Sequence, residues 1–169
     1  IRALLDQYSA VSVGEVYLLD EQAMTTYHGD DDELHLCFNF RFLWAPFDAT
    51  ELRSRISRTI DVLRERGAWP TWVLSNHDVP RHRGRYGGSE LAARMAAVML
   101  LTLPGTPFMY QGEELGLIDA EIAPADMVDP GGRDGCRAPI PWDEVTAQQA
   151  DADSILRFYK RLLHLRCTT

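Results

Sequence analysis

Trp72-Val73-Leu74-Ser75-Asn76-His77-Asp78 reads as an apolar strand that breaks off into Asn-His-Asp, which is how a barrel enzyme sets polar groups at the mouth of its core. Val11-Ser12-Val13-Gly14-Glu15-Val16 is a second strand-like run, and it too ends on a carboxylate. Two carboxylates on two strand ends point to acid/base chemistry on a sugar or a similarly neutral substrate. Asn-His-Asp alone is equally well explained as a polar turn that caps a helix, so the surrounding chain has to decide.

Strand-like and helix-like segments alternate along it. Strands are expected over residues 11–17, 34–40, 71–75 and 106–110. Leu52, Ile56, Ile60 and Leu63 recur at four- and three-residue steps, which predicts an amphipathic helix over 49–66 ended by Gly67. Leu91, Met95, Val98 and Thr102 predict a second over 89–103, stopped at Pro104-Gly105. A third, over 154–166, carries Ile155, Tyr159, Leu162 and Leu163 behind Ser154 as N-cap. This rhythm predicts parallel βα units. Only about four are present, whereas a closed (β/α)8 barrel takes eight and roughly 250 residues, so the expected fold is α/β, half of such a barrel. An open doubly wound sheet is the alternative, but no Gly-rich phosphate loop follows any of the strands. Residues 1–169 are read as one partial barrel domain, with a long irregular segment over about residues 116–150 on the active-site side.

Bulk properties narrow the partners. With 46% hydrophobic and 25% charged residues the chain is an ordinary globular protein. A net charge of −8 argues against nucleic acid and against an anionic membrane surface, both of which need clustered Lys and Arg. No apolar run approaches the roughly 18 residues of a membrane span. Cys37, Cys136 and Cys167 are odd in number and lack metal-ligand spacing, so reduced thiols in a cytoplasmic setting are expected. The start at Ile1, without Met or a signal-like segment, suggests a missing N-terminus. Asp30-Asp31-Asp32-Glu33 is expected to be a solvated loop.

Four motifs then occur in order: Val13-Gly14-Glu15-Val16, Ser75-Asn76-His77-Asp78, Gly105-Thr106-Pro107-Phe108-Met109-Tyr110-Gln111-Gly112-Glu113-Glu114-Leu115-Gly116, and Arg133-Asp134-Gly135-Cys136-Arg137-Ala138-Pro139-Ile140-Pro141-Trp142. Together they closely resemble the α-amylase family of glycoside hydrolases, and within it the bacterial α-glucosidase and oligo-1,6-glucosidase branch. The resemblance implies a retaining mechanism on a (β/α)8 barrel, of which this chain would be the C-terminal half, about strands five to eight with their helices. It implies that Glu15 is the acid/base and Asp78 the transition-state stabiliser, with His77 as a hydroxyl-binding neighbour. It also implies that Arg133 helps fix a terminal glucose. The family's nucleophilic Asp, on the fourth strand, would lie in a missing N-terminal half. No cofactor or metal is implied, and the substrate would be a short α-glucoside oligosaccharide or disaccharide.

The chemistry suits these residue types. Cleaving a glycosidic bond needs a proton for the leaving oxygen and a carboxylate facing the anomeric carbon, about 5 Å apart in retaining enzymes. Glu15 follows Val11, Val13 and Gly14 and is placed to leave a buried strand and reach such a site, the alternative being an exposed strand-end charge. Arg133 has a second reading, a loop-ordering salt bridge with Asp129 or Asp134, and Arg137 is the weaker candidate with a structural alternative. Arg81 is expected to line the entrance, binding substrate, or to face solvent. His77 and His82 have a spacing unsuited to a shared metal. Glu113 and Glu114 are read as structural, and Phe38 and Phe40 as core.

Two departures from the family pattern stand out: the absent nucleophile, and a segment over 142–154 much shorter than in relatives. The chain alone is therefore expected to be inactive, and its exposed strand edges to make it associate. The rival reading is a non-catalytic carbohydrate-binding or scaffold relative, against which an intact Glu15, His77 and Asp78 argue.

Overall fold

The computed structural model describes residues 1–168 and forms two compact units, one of residues 1–73 with 104–108, the other of residues 74–103 with Met109 onward. In chain order the first unit holds α1 (Arg2–Gln7), β1 (Val13–Gly14), α2 (Glu21–Thr25), β2 (Leu36–Cys37), α3 (Phe40–Leu43), α4 (Ala49–Glu65), β3 (Thr71–Val73) and finally β4 (Thr106–Phe108). The second holds α5 (His82–Arg85), α6 (Glu90–Thr102), α7 (Trp142–Ala150) and α8 (Ile155–Thr168).

In the first unit the strands pair in parallel, β1 with β2 (Val13 opposite Leu36) and β3 with β4 (Thr71 opposite Thr106). The Thr71 hydroxyl donates to the Cys37 carbonyl at 2.5 Å, tying the start of β3 to the end of β2. All four strands fall inside the expected segments but are shorter. The 34–40 run is cut because the Asn39 side chain accepts the Phe42 N–H at 2.9 Å and starts α3, while its amide donates to Thr59 at 3.1 Å. Phe40 is core, as expected; Phe38 is half-buried, edge-on to Phe108 at 4.7 Å. Phe42 meets Trp72 at 5.0 Å, and both are wholly buried. α4 begins on Asp48, which accepts the Thr50 and Glu51 N–H groups, and stops before Gly67 at φ +66°. Gly105 has no substitute: at φ +116°, a Cβ there would lie 2.4 Å from the Pro70 carbonyl oxygen. This close approach lets Thr106 N–H reach that same oxygen at 2.9 Å and start the β3–β4 ladder.

The second unit packs α6 on α8 through Ala93, Ala97, Leu101, Ile155 and Tyr159. Small residues on α6 let the bulkier face of α8 approach. Ser89 caps α6, and Ser154 Oγ accepts the Arg157 N–H at 3.2 Å, the expected N-cap. The expected irregular stretch over 116–150 needs a correction, because it contains α7. That helix buries none of its residues, so its sequence has no apolar stripe to betray it. It is held at its C-terminal end by Gln148, which donates to the Leu115 carbonyl at 3.0 Å and accepts the Leu156 N–H at 3.1 Å. Asp143 and Glu144 in its first turn suit the helix dipole.

Among the described residues no helix is long and apolar enough to cross a membrane. Cys37, Cys136 and Cys167 are all free thiols.

Candidate functional site

The polar turn after β3 is built by its own side chains. Ser75 is buried, and its hydroxyl accepts the His82 N–H at 2.9 Å, closing the loop between them. Asn76 Oδ1 accepts the N–H groups of Asp78 (2.9 Å) and Val79 (3.1 Å), an Asx turn. Asp119 accepts the Arg81 N–H at 3.0 Å. The N–H groups of Asp78, Val79, Arg81 and His82 are thus taken by side chains, and the His77 and Asp78 side chains remain partly exposed.

Asp78 is where charge converges. Its Oδ1 lies 2.6 Å from Arg133 Nη1 and 2.9 Å from Arg137 Nη2, while Oδ2 lies 3.2 Å from His77 Nε2. Asp129 grips Arg133 from the other side in a bidentate pair, Nε to Oδ2 at 2.8 Å and Nη2 to Oδ1 at 2.7 Å. Partial burial works to raise the Asp78 pKa, but the Arg133 hydrogen bond, the charge of His77 and the Arg137 hydrogen bond outweigh it and hold the carboxyl below its usual value. Side-chain and backbone hydrogen bonds from Arg133 hold Asp129 well below the usual carboxylate range, and Asp129 and Asp78 in turn raise Arg133. Asp78 and Arg133 line a cavity of about 270 Å³ with Asp119, Asp134 and the apolar Ile122 and Met127. A lining that mixes fixed charges with apolar side chains suits a neutral polyol.

The segment that carries the arginines is ordered by polar bonds. Asp134 accepts the N–H groups of Val128 and Asp129 at 3.2 and 3.1 Å, and the Cys136 thiol donates to the Arg133 carbonyl at 3.1 Å. Burial pushes that thiol's pKa up. Arg133 thus makes the loop-ordering salt bridge with Asp129, and it also reaches Asp78.

Arg81 requires a correction. It neither lines an entrance nor faces solvent but is 2% exposed. Its guanidinium donates to the carbonyls of Gln111 and Cys136 and lies over the Tyr110 ring at 4.7 Å. A charge buried this way must be saturated by carbonyl acceptors, and its role is to hold the 111 and 136 segments in place. His77 and His82 have separate partners, since His82 Nδ1 meets Ser75 Oγ at 3.0 Å and Glu113 Oε1 at 3.5 Å. Glu114 accepts the Gly112 N–H at 2.9 Å, and Glu113 is buried. Glu15 belongs to the first unit, exposed immediately after β1, and its carboxylate makes no hydrogen bond among the described residues. No group of three or more His, Cys, Asp or Glu among the described residues is arranged to hold a metal ion. The His82–Ser75–Glu113 cluster was invisible in sequence, because Ser75 and Glu113 sit in different motifs and His82 in none.

Comparison with known proteins places this geometry. The Alpha-amylase catalytic domain model matches residues 1–169. A probable alpha-glucosidase of Rhizobium meliloti is 34% identical over 211 residues, covering 98% of this chain and 37% of the relative. An oligo-1,6-glucosidase of Heyndrickxia coagulans is 28% identical, covering 98% and 42%. The crystal structure of the alpha-glucosyl transfer enzyme XgtA superposes with a TM-score of 0.90 at 35% identity, covering 99% of this chain and 38% of that one. The structural neighbours are (β/α)8 barrels of this family, of which the chain spans about 40%, so its fold is part of such a barrel. The alignment of 211 residues against a chain of 169 means that the Rhizobium protein carries residues this chain lacks. The chain belongs to the α-amylase catalytic-domain family.

Proposed function

We propose that this chain is the C-terminal half of the catalytic barrel of a retaining α-glucosidase-type glycoside hydrolase that releases terminal α-linked glucose from short oligosaccharides or disaccharides. The observation that carries the reading is the Asp78 carboxylate clamped at Oδ1 by two arginines and flanked at Oδ2 by His77. Such a carboxylate stays ionised and offers one oxygen to sugar hydroxyls, tightening as the ring flattens toward an oxocarbenium ion. Arg133 joins it in gripping the terminal sugar. Arg81 acts behind them, as support for the loop.

Glu15 supplies the proton. It protonates the glycosidic oxygen as the aglycone departs, and a carboxylate from outside this chain takes the anomeric carbon. Glu15 then removes a proton from the water that releases glucose. An α-glucosyl transfer enzyme at 35% identity among the structural relatives raises a second outcome of the same intermediate, in which a sugar hydroxyl replaces water. The free thiols fit a cytoplasmic enzyme.

The test is turnover of an aryl α-glucoside by the full-length protein carrying this chain, beside Glu15→Gln and Asp78→Asn. Glu15→Gln should lose about 10²–10⁴-fold in kcat, the range for general acid–base catalysis, and Asp78→Asn should lower kcat as well through lost transition-state binding. Full activity in Glu15→Gln would sink the assignment. The retained or inverted anomer of the first product, read by NMR, tests the mechanism separately.

A further inference from the structure

Asp78 Oδ1 receives two guanidinium groups, and the proposed grip on the sugar accounts for only one of them. Arg137 donates from Nη2 to Asp78 Oδ1 at 2.9 Å and from Nε to the His77 carbonyl at 2.8 Å. One rigid fork therefore holds the backbone of the first site residue and the side chain of the next. Its remaining nitrogen, Nη1, stands 3.6 Å from Asp129 Oδ1, the oxygen that also pairs with Arg133. Arg137, like His77, lies outside the lining of the cavity that Asp78 and Arg133 share, and its Nη2 and Nε are spent on Asp78 and His77, so it acts through them.

We propose that Arg137 is a positioning residue: it fixes the Asp78 rotamer and the His77 peptide so that Asp78 Oδ2 and His77 Nε2 are presented together to neighbouring hydroxyls of one sugar ring. The identity of the ring rests on the glycosidase reading above; the geometry does not. With Oδ1 occupied by both arginines, rotation of the carboxylate would break two charge-assisted hydrogen bonds at once. Lysine could satisfy one acceptor but not the pair, since an ammonium has no planar fork.

Arg133, Arg137 and His77 face the Asp78 carboxylate directly; Asp129 stands behind the arginines, and Asp119 and Asp134 share the cavity. An opposite charge nearby favours the ionised carboxyl, so losing one of the two arginines should raise the Asp78 titration.

The experiment uses the full-length protein with ¹³C-labelled aspartate, comparing wild type, Arg137→Met and Arg137→Lys. The Asp78 carboxyl is titrated by NMR, and kcat and KM are measured on an aryl α-glucoside. Arg137→Met should raise the Asp78 titration and lower kcat about tenfold or more. Arg137→Lys should restore the titration but not kcat, because it returns charge without the fork. A titration unmoved in Arg137→Met, or a wild-type kcat in Arg137→Lys, would overturn the proposal. Wild-type protein that fails to cleave the glucoside would defeat the glycosidase reading, while an Asp78 titration unmoved in Arg137→Met would still overturn the pairing of Arg137 with Asp78.

Discussion

Replacing Gly105 by alanine should be far more damaging than replacing Gly67, although both glycines have positive φ. At Gly105 (φ +116°) a Cβ would stand 2.4 Å from the Pro70 carbonyl oxygen and 2.8 Å from the Pro70 ring. Neither atom can swing aside. Holding a non-glycine residue in that backbone region costs about 1–3 kcal/mol, and forcing space for the methyl adds about 1–3 kcal/mol. At Gly67 (φ +66°) nothing lies within 4 Å of the added carbon, so only the left-handed conformation is opposed. That amounts to about 1–2 kcal/mol. The two variants should therefore differ by roughly 2–3 kcal/mol at the middle of these ranges, which together span about 0–5 kcal/mol, in the first unit's stability. Urea unfolding of both in one background, followed by fluorescence, measures the difference. Trp72 is a built-in reporter, wholly buried against Phe42, with its indole N–H bonded to the Pro104 carbonyl at 2.6 Å. Gly105→Ala also puts at risk the Thr106–Pro70 hydrogen bond that starts the β3–β4 ladder. If Gly105→Ala were as stable as Gly67→Ala, the close approach of β4 to β3 would be wrong.

Three further outcomes are expected. Leu101→Ala removes a side chain 2% exposed at the α6–α8 contact and should destabilise the second unit by about 2–5 kcal/mol, read by amide exchange of α8. Asp78 and Asp129 both have folded pKa values below the ordinary 3.8, so their stabilising effect is complete above that value and is lost as pH falls through the lower folded ones. The Tm gap between wild type and Asp129→Asn should therefore be flat over about pH 5–8 and shrink only in stronger acid; a gap that closes near neutrality would contradict the pairing. Finally, Tyr8, Val11, Tyr17 and Leu19 are large apolar residues left exposed in the first unit, so the isolated chain should self-associate. Sedimentation as a single 19.1 kDa species would count against that.

What the sequence disclosed followed from periodicity and motif, and what it concealed followed from long-range partnership. The helices over 49–66, 89–103 and 154–166 carried apolar repeats and appear within a few residues of their expected ends. α7 carried none and was read as loop, because a helix that buries no residue fully has no apolar stripe. β1 and β2 contracted to two residues each, since pairing and not composition sets where a strand ends; Asn39 could be recognised as a cap only once Thr59 was beside it. Asp78, His77 and Arg133 were legible from their motifs, and the structure brings all three together. Arg81 was misjudged because nothing in a polar loop announces that the carbonyls of Gln111 and Cys136, 30 and 55 residues away, will enclose it.

These contrasts separate two kinds of construction within the second unit. The α6–α8 contact is apolar and tolerates change in proportion to the volume removed. The segment over 129–137 has no such core. It is shaped by Asp129 and Asp134 taking backbone N–H groups, by a thiol on a carbonyl, and by Arg81 bridging its Cys136 carbonyl to Gln111. Each bond fixes an atom's direction more than it adds to stability, because much of the segment is open to water. A substitution there can leave unfolding almost unchanged and still rotate a guanidinium away from Asp78. The converse holds on α6, where an alanine in place of Leu101 loosens the unit without touching any of the site's ion pairs. Stability and site geometry should thus be separable by mutation in this unit, and a residue whose loss moves the Asp78 titration without moving Tm belongs to the second kind.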